Sequence, residues 1–148
     1  MRERWRRRLD AGRAIACRPL TYLGATAAAV GTAVWLDRLE RRNAFDQTVE
    51  RLRRGRAFPP RLADPAIHLR VVNRLLNWLP PRGMGRCLKR SLLLLHLWSR
   101  CGLEPRLHLG IQGPTCSSLQ GHAWLTAMRG GVSIAAGDAA GSVEAFVF

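Results

Sequence analysis

Gly85-Arg86-Cys87-Leu88-Lys89-Arg90-Ser91-Leu92-Leu93-Leu94-Leu95-His96-Leu97-Trp98-Ser99-Arg100 is the stretch on which the reading of this chain turns. Its leucines cover nearly the whole circumference of a helix running from about Cys87 to Arg100, and a helix apolar all round belongs in the centre of a core. Gly102, just past the last leucine turn, is a stop signal. Upstream, Leu79-Pro80-Pro81 ends the preceding helix, and Arg82-Gly83-Met84-Gly85-Arg86 reads as a flexible loop. Cys87 therefore stands where a loop becomes a buried helix. The free N–H groups and the dipole of a helix start favour a thiolate there. Lys89 and Arg90 add positive charge in the first turn, although they oppose the dipole. The other reading of such a cysteine is a small buried residue that fills space.

Working outward toward the C-terminus, the period changes after Pro105. Leu107, Leu109 and Ile111 alternate with Arg106 and His108, which predicts a strand. Residues 113–121 read as a loop of Gly, Pro, Ser, Thr and Gln. His122–Met128 and Val132–Gly137 read as two further strands. His122 opens its strand directly after Gly121, at the mouth of a loop, where an imidazole faces a cleft. Trp124 shares its face and shields a Cys87–His122 pair from water. Arg129-Gly130-Gly131 is a short hairpin connection. As a three-residue loop it sets Met128 opposite Val132, Thr126 opposite Ile134, Trp124 opposite Ala136 and His122 opposite Asp138. Cross-strand partners lie about 5 Å apart at Cβ, within reach for a carboxylate to orient an imidazole. A two-residue Gly-Gly turn instead sets Ala139 opposite His122 and turns Asp138 to the other face. Glu144 is the reserve candidate for the third position, and Asp138 also has a plain reading as a polar turn residue.

Toward the N-terminus, Asp64 caps a helix that starts at Pro65. Ile67, Val71, Leu75 and Trp78 form its core stripe. Phe58-Pro59-Pro60 breaks an amphipathic helix predicted over 37–56, with Leu39, Phe45, Val49 and Leu52 as its apolar face. Pro19 to Leu36 carries no charge but falls short of the roughly 20 apolar residues a bilayer span needs, and Thr and Gly dilute it. A buried helix is the reading taken, with membrane association through 19–36 as the alternative. Residues 1–60 form a basic, apolar helical region and 61–148 the core. The expected class is α+β, a central helix plus an antiparallel sheet.

The 148 residues suit one domain, and 47% hydrophobic against 23% charged excludes a disordered tail. The net charge is +14, and every basic residue but Lys89 is arginine. Such a balance fits nucleic acid, anionic lipid or acidic peptide as partners. No nucleic-acid module accompanies it, so nucleic acid is set aside. Cys17, Cys87, Cys101 and Cys116 form no CxxC pair, and no secretory signal precedes them. Free thiols in a reducing, cytoplasmic compartment follow. Zinc on Cys87, His96, Cys101, His108, Cys116 and His122 is disfavoured by the wide spacings. No cofactor is expected, and a need for ATP is left open. His68 reads as a helix-surface residue, His96 as a satisfied core residue, and Cys101 as a helix end without a partner.

The order of cysteine at a helix start, histidine on a strand and aspartate on the next resembles the papain and transglutaminase-like arrangement. Cys87-Leu88-Lys89-Arg90-Ser91-Leu92, Gly102-Leu103 with Arg106-Leu107-His108-Leu109-Gly110-Ile111, and Gly121-His122-Ala123-Trp124 resemble the leader-peptidase domain of lasso peptide biosynthesis over residues 65–138. That resemblance implies a Cys87–His122–Asp138 cysteine peptidase that removes the leader from a ribosomally made precursor peptide. It implies a small leader-recognition protein as partner, because the chain is similar to the split catalytic form. It also implies a separate asparagine synthetase-like cyclase acting afterwards. The alternatives are an acyltransferase or transglutaminase using the same triad, and a non-catalytic basic adaptor in which Cys87 is packing.

Overall fold

The computed structural model describes residues 19–78, 85–112, 120–129, 132–137 and 142–148. Four helices precede the strands in these residues: α1 (Pro19–Glu40), α2 (Phe45–Arg53), α3 (Pro65–Trp78) and α4 (Arg86–Arg100), with a 3-10 turn at Pro60–Leu62. Then come β1 (Arg106–Gln112), β2 (Gln120–Arg129), β3 (Val132–Ala136) and β4 (Ser142–Val147). They form one antiparallel sheet in the order β3-β2-β1-β4. The α+β class expected from the sequence is the one observed.

The leucine-rich helix is central. Every residue of α4 from Ser91 to Trp98 is buried, and burying each leucine is worth roughly 1.5–3 kcal/mol. Gly102 ends the helix at φ +76°, a left-handed conformation that costs glycine nothing. One hydrophobic cluster joins α4 to Ala25, Ala29, Ala33, Leu36 and Leu39 of α1, Val49 and Leu52 of α2, Val71, Val72 and Leu76 of α3, and Leu107, Leu125, Ala127 and Ala136 of the sheet. At α3 the Asp64 cap is present: Oδ1 accepts from the N–H groups of Ala66 at 3.0 Å and Ile67 at 3.3 Å.

Several expectations shift. The core stripe of α3 is Ile67, His68, Val71, Val72 and Leu76, with Leu75 half-buried and Trp78 83% exposed. The helix predicted over 37–56 is split between the end of α1 and α2. Asn43 explains the break. Its Nδ2 donates to the Leu39 carbonyl at 3.1 Å, and the N–H groups of Arg42 and Asn43 converge on that same oxygen, the local competition by which Asn closes helices. β4 is an edge strand beyond those read from the sequence. A register shift against Leu109 and Gly110 of β1 disrupts its alternation.

The β2–β3 hairpin also departs from the favoured register. Arg129 pairs with Val132, Ala127 with Ile134 and Leu125 with Ala136, so two residues of the sequence, Gly130 and Gly131, separate the paired strands. Two-residue loops match the twist of paired strands, which Gly-Gly allows. The pairings of Met128 with Val132, Thr126 with Ile134 and Trp124 with Ala136 are thereby corrected; Asp138, the partner expected for His122, lies outside the described residues. The ladder ends at Ala136, and Gly137 leaves it at φ +116°.

Candidate active site

Arg86, the first residue of α4, ties the start of that helix to the end of α3. Its guanidinium donates to the Leu76 carbonyl at 2.7 Å and to Asn77 Oδ1 at 2.8 Å. A cation on the last carbonyls of a helix is well placed against the dipole. Cys87 follows, half-buried, in the first helical turn. Its N–H is one of those with no carbonyl one turn back to bond. Its Sγ lies 3.9 Å from the carbonyl oxygen of Gly121, the residue before His122. The two predicted elements, loop-to-helix and loop-to-strand, thus meet at the thiol. Lys89 has a different task from the one expected of it: Nζ is 2.7 Å from Asp37 Oδ1, with the lysine side chain only 14% exposed. Its charge is matched by α1 and locks that helix to α4.

His122 lies on β2 opposite Gly110 of β1. Its ring stacks on Trp124 with centroids 5.9 Å apart and planes at 26°, and Trp124 stacks in turn on His108 at 5.3 Å and 6°. His108 is held at both nitrogens, Nδ1 to Glu144 Oε2 at 2.5 Å and Nε2 to Thr126 Oγ1 at 2.8 Å. A carboxylate only accepts, so Nδ1 donates to Glu144 and Nε2 is left to the threonine hydroxyl. Gly110 makes this column possible. A Cβ there would stand 2.5 Å from the Val143 carbonyl oxygen and 3.0 Å from the Trp124 ring. At the other side of the tryptophan, a Cβ on Gly137 would meet Trp124 Cβ at 2.8 Å and an Arg90 guanidinium nitrogen at 2.9 Å. Trp124 itself is buried.

Asp138 lies outside the described residues, as do Cys17, Cys116 and the loop residues 82–84. It follows Gly137, which sits against Trp124. Glu144, the reserve, reaches His108. His68 is not on the surface: it is fully buried, lies against Phe58 with ring centroids 5.1 Å apart and planes tilted at 40°, and presents Nδ1 to Cys101 Sγ at 3.3 Å. Burial lowers its pKa to about 4. Cys101 therefore has the partner its spacing did not suggest, because α3 and the end of α4 are brought side by side. His96 is satisfied as expected, its Nδ1 2.7 Å from the Leu52 carbonyl oxygen, and burial lowers its pKa as well. Among the described residues no group of three His, Cys, Asp or Glu side chains is arranged to hold a metal. The residues that sequence reasoning passed over are His108, Thr126 and Gly110. The available signal was the alternation itself, which puts His108 on the face opposite the leucines, where Trp124 is its cross-strand partner.

A thiol at a helix start, an imidazole on the adjacent strand and a buried aromatic wall are the parts needed for nucleophilic attack on an acyl group. A profile of the transglutaminase-like superfamily matches residues 26–147. No curated protein and no solved structure matches the chain. The central helix against an antiparallel sheet fits the papain-like core of that superfamily, whose members are typically cysteine peptidases or acyltransferases. The chain belongs to the transglutaminase-like superfamily.

Proposed function

We propose that this chain is a cysteine peptidase that removes the leader from a lasso peptide precursor, with Cys87 as nucleophile, His122 as general base and Asp138 orienting the imidazole. The observation that carries the peptidase reading is the approach of Cys87 Sγ, at the start of α4, to the backbone of the residue before His122. His122 takes the thiol proton, and the sulfur attacks the leader–core amide carbonyl. The resulting oxyanion is met by the Cys87 N–H, a first-turn donor. Collapse forms a thioester as His122 returns the proton to the leaving amine, and water then releases the leader. The stack on Trp124 holds the imidazole plane through this cycle. The motif around Cys87 and the Gly121-His122-Ala123-Trp124 run support the choice of lasso precursor as substrate. A small leader-recognition protein would present that substrate.

Mass spectrometry of a precursor incubated with the chain and its recognition partner tests this. The expected result is leader and core as separate products, lost in Cys87→Ala while folding persists. Full cleavage by Cys87→Ala would sink the reading. Superfamily membership also favours a second reading, acyl transfer to an amine in place of water. A product heavier by the amine, in place of a hydrolysed one, identifies it.

A further inference from the structure

We infer that the outward face of α1 docks this protein flat on an anionic membrane surface. The helix is apolar on two opposite faces. One face, Ala25, Ala29, Thr32, Ala33, Leu36 and Leu39, is buried. The other, Leu20, Leu23, Val30 and Val34, is 78%, 66%, 42% and 49% exposed. Ala27 and Gly31, also exposed, continue the stripe between them. A helix apolar all round is ordinarily covered all round, so four large exposed side chains in one line leave a surface without its counterpart. Length and composition would let the helix cross a bilayer. Its inner face and the Lys89–Asp37 bond at 2.7 Å instead hold it on the domain, which leaves interfacial binding as the mode that uses the stripe.

Charge identifies the occupant. Arg38 extends the stripe by one turn, and Arg41 and Arg42 follow it, all exposed. Arg70 lies alongside, its guanidinium 3.4 Å from the Tyr22 hydroxyl. In sequence the helix is preceded within 18 residues by seven arginines, Arg2, Arg4, Arg6, Arg7, Arg8, Arg13 and Arg18, against Glu3 and Asp10. No acidic residue interrupts the exposed stripe, and Asp37 is turned to Lys89. Basic residues near an anionic leaflet add attraction to the shallow burial of leucine and valine, and the combination suits a peripheral binder. A second copy would bring a second chain of net charge +14 to the same contact, which opposes self-association.

The test is sedimentation of the full chain with vesicles of phosphatidylcholine containing about one-third phosphatidylglycerol, against phosphatidylcholine alone. Binding to the anionic vesicles is expected, weakened by raising salt to about 0.5 M. Leu23→Glu with Val30→Glu, both at exposed positions, should lower binding by about tenfold or more at unchanged thermal stability. The milder pair Leu23→Gln and Val30→Gln should give an intermediate loss. A chain that stays in the supernatant with anionic vesicles overturns the inference, as does a glutamate variant that binds like wild type. A dimer in solution that the glutamate variant dissolves, without vesicle binding, assigns the stripe to a second copy and overturns it too.

Discussion

At the scale of single residues, the two buried histidines make stability depend on pH in a calculable direction. Burial lowers the pKa of His68 from 6.5 to about 4 and lowers that of His96. In the unfolded chain both rings protonate near pH 6.5, so as pH falls below that value the unfolded state takes up protons that the folded state refuses. For His68 the stabilising effect is present above pH 6.5 and is lost as pH drops toward 4, and that of His96 is lost in the same direction. Denaturant titrations across that window should show stability falling with pH, and His68→Gln should flatten the slope to what His96 alone supplies. An unchanged slope contradicts the assignment. The carboxylates separate in the same way. Glu144 is engaged by His108 at 2.5 Å, so Glu144→Gln should leave cleavage within about tenfold, whereas Asp138→Asn should cost on the order of a hundredfold to ten-thousandfold if it orients His122. Steady-state rates of the two variants decide between them.

At the scale of elements, the end of β3 turns at a glycine with a neighbour in the way. Gly137, at φ +116°, has Trp124 Cβ 2.8 Å from where its own Cβ would be. Gly137→Ala should destabilise by about 1–3 kcal/mol, and it should disturb the wall behind His122. A thermal melt matching wild type contradicts this. The same hairpin shows where the sequence was legible and where it was not. Helix α4, the Asp64 cap, the first three strands and the side of the sheet shared by His122 and Trp124 follow from period, capping and alternation, all local signals. The register of β2 and β3 depends on whether Arg129 belongs to the turn or to the strand, and one residue of difference moves every pairing. No local signal separates those cases. His68 was misread for a related reason: a lone polar residue on a helix looks like surface until the end of α4, with Cys101, is laid against it.

At the scale of the molecule, α1 is part of the core beneath the site and not an appendage to it. It supplies Ala25, Ala29, Ala33, Leu36 and Leu39 to the cluster around α4 and holds that helix through Asp37 and Lys89. A chain lacking residues 1–44 should therefore lose cooperative unfolding, since it would uncover leucines of α4 worth roughly 1.5–3 kcal/mol each. A sharp melt from that truncation would contradict the arrangement. Position far apart in sequence and contact in space is the general limit on reading such a site. Cys87 and His122 were each marked by local context, but the link between them, Sγ to the Gly121 carbonyl, is made by the packing of α4 on β2.

The most direct test of the central claim is the rate at which iodoacetamide alkylates Cys87 at neutral pH, read by peptide mass mapping in the wild type and in His122→Ala. An activated nucleophile should react about tenfold or more faster than a small-molecule thiol under the same conditions and should slow when the imidazole is removed. A Cys87 that reacts no faster than the small thiol, or that ignores the loss of His122, would contradict the account and return this cysteine to the role of packing.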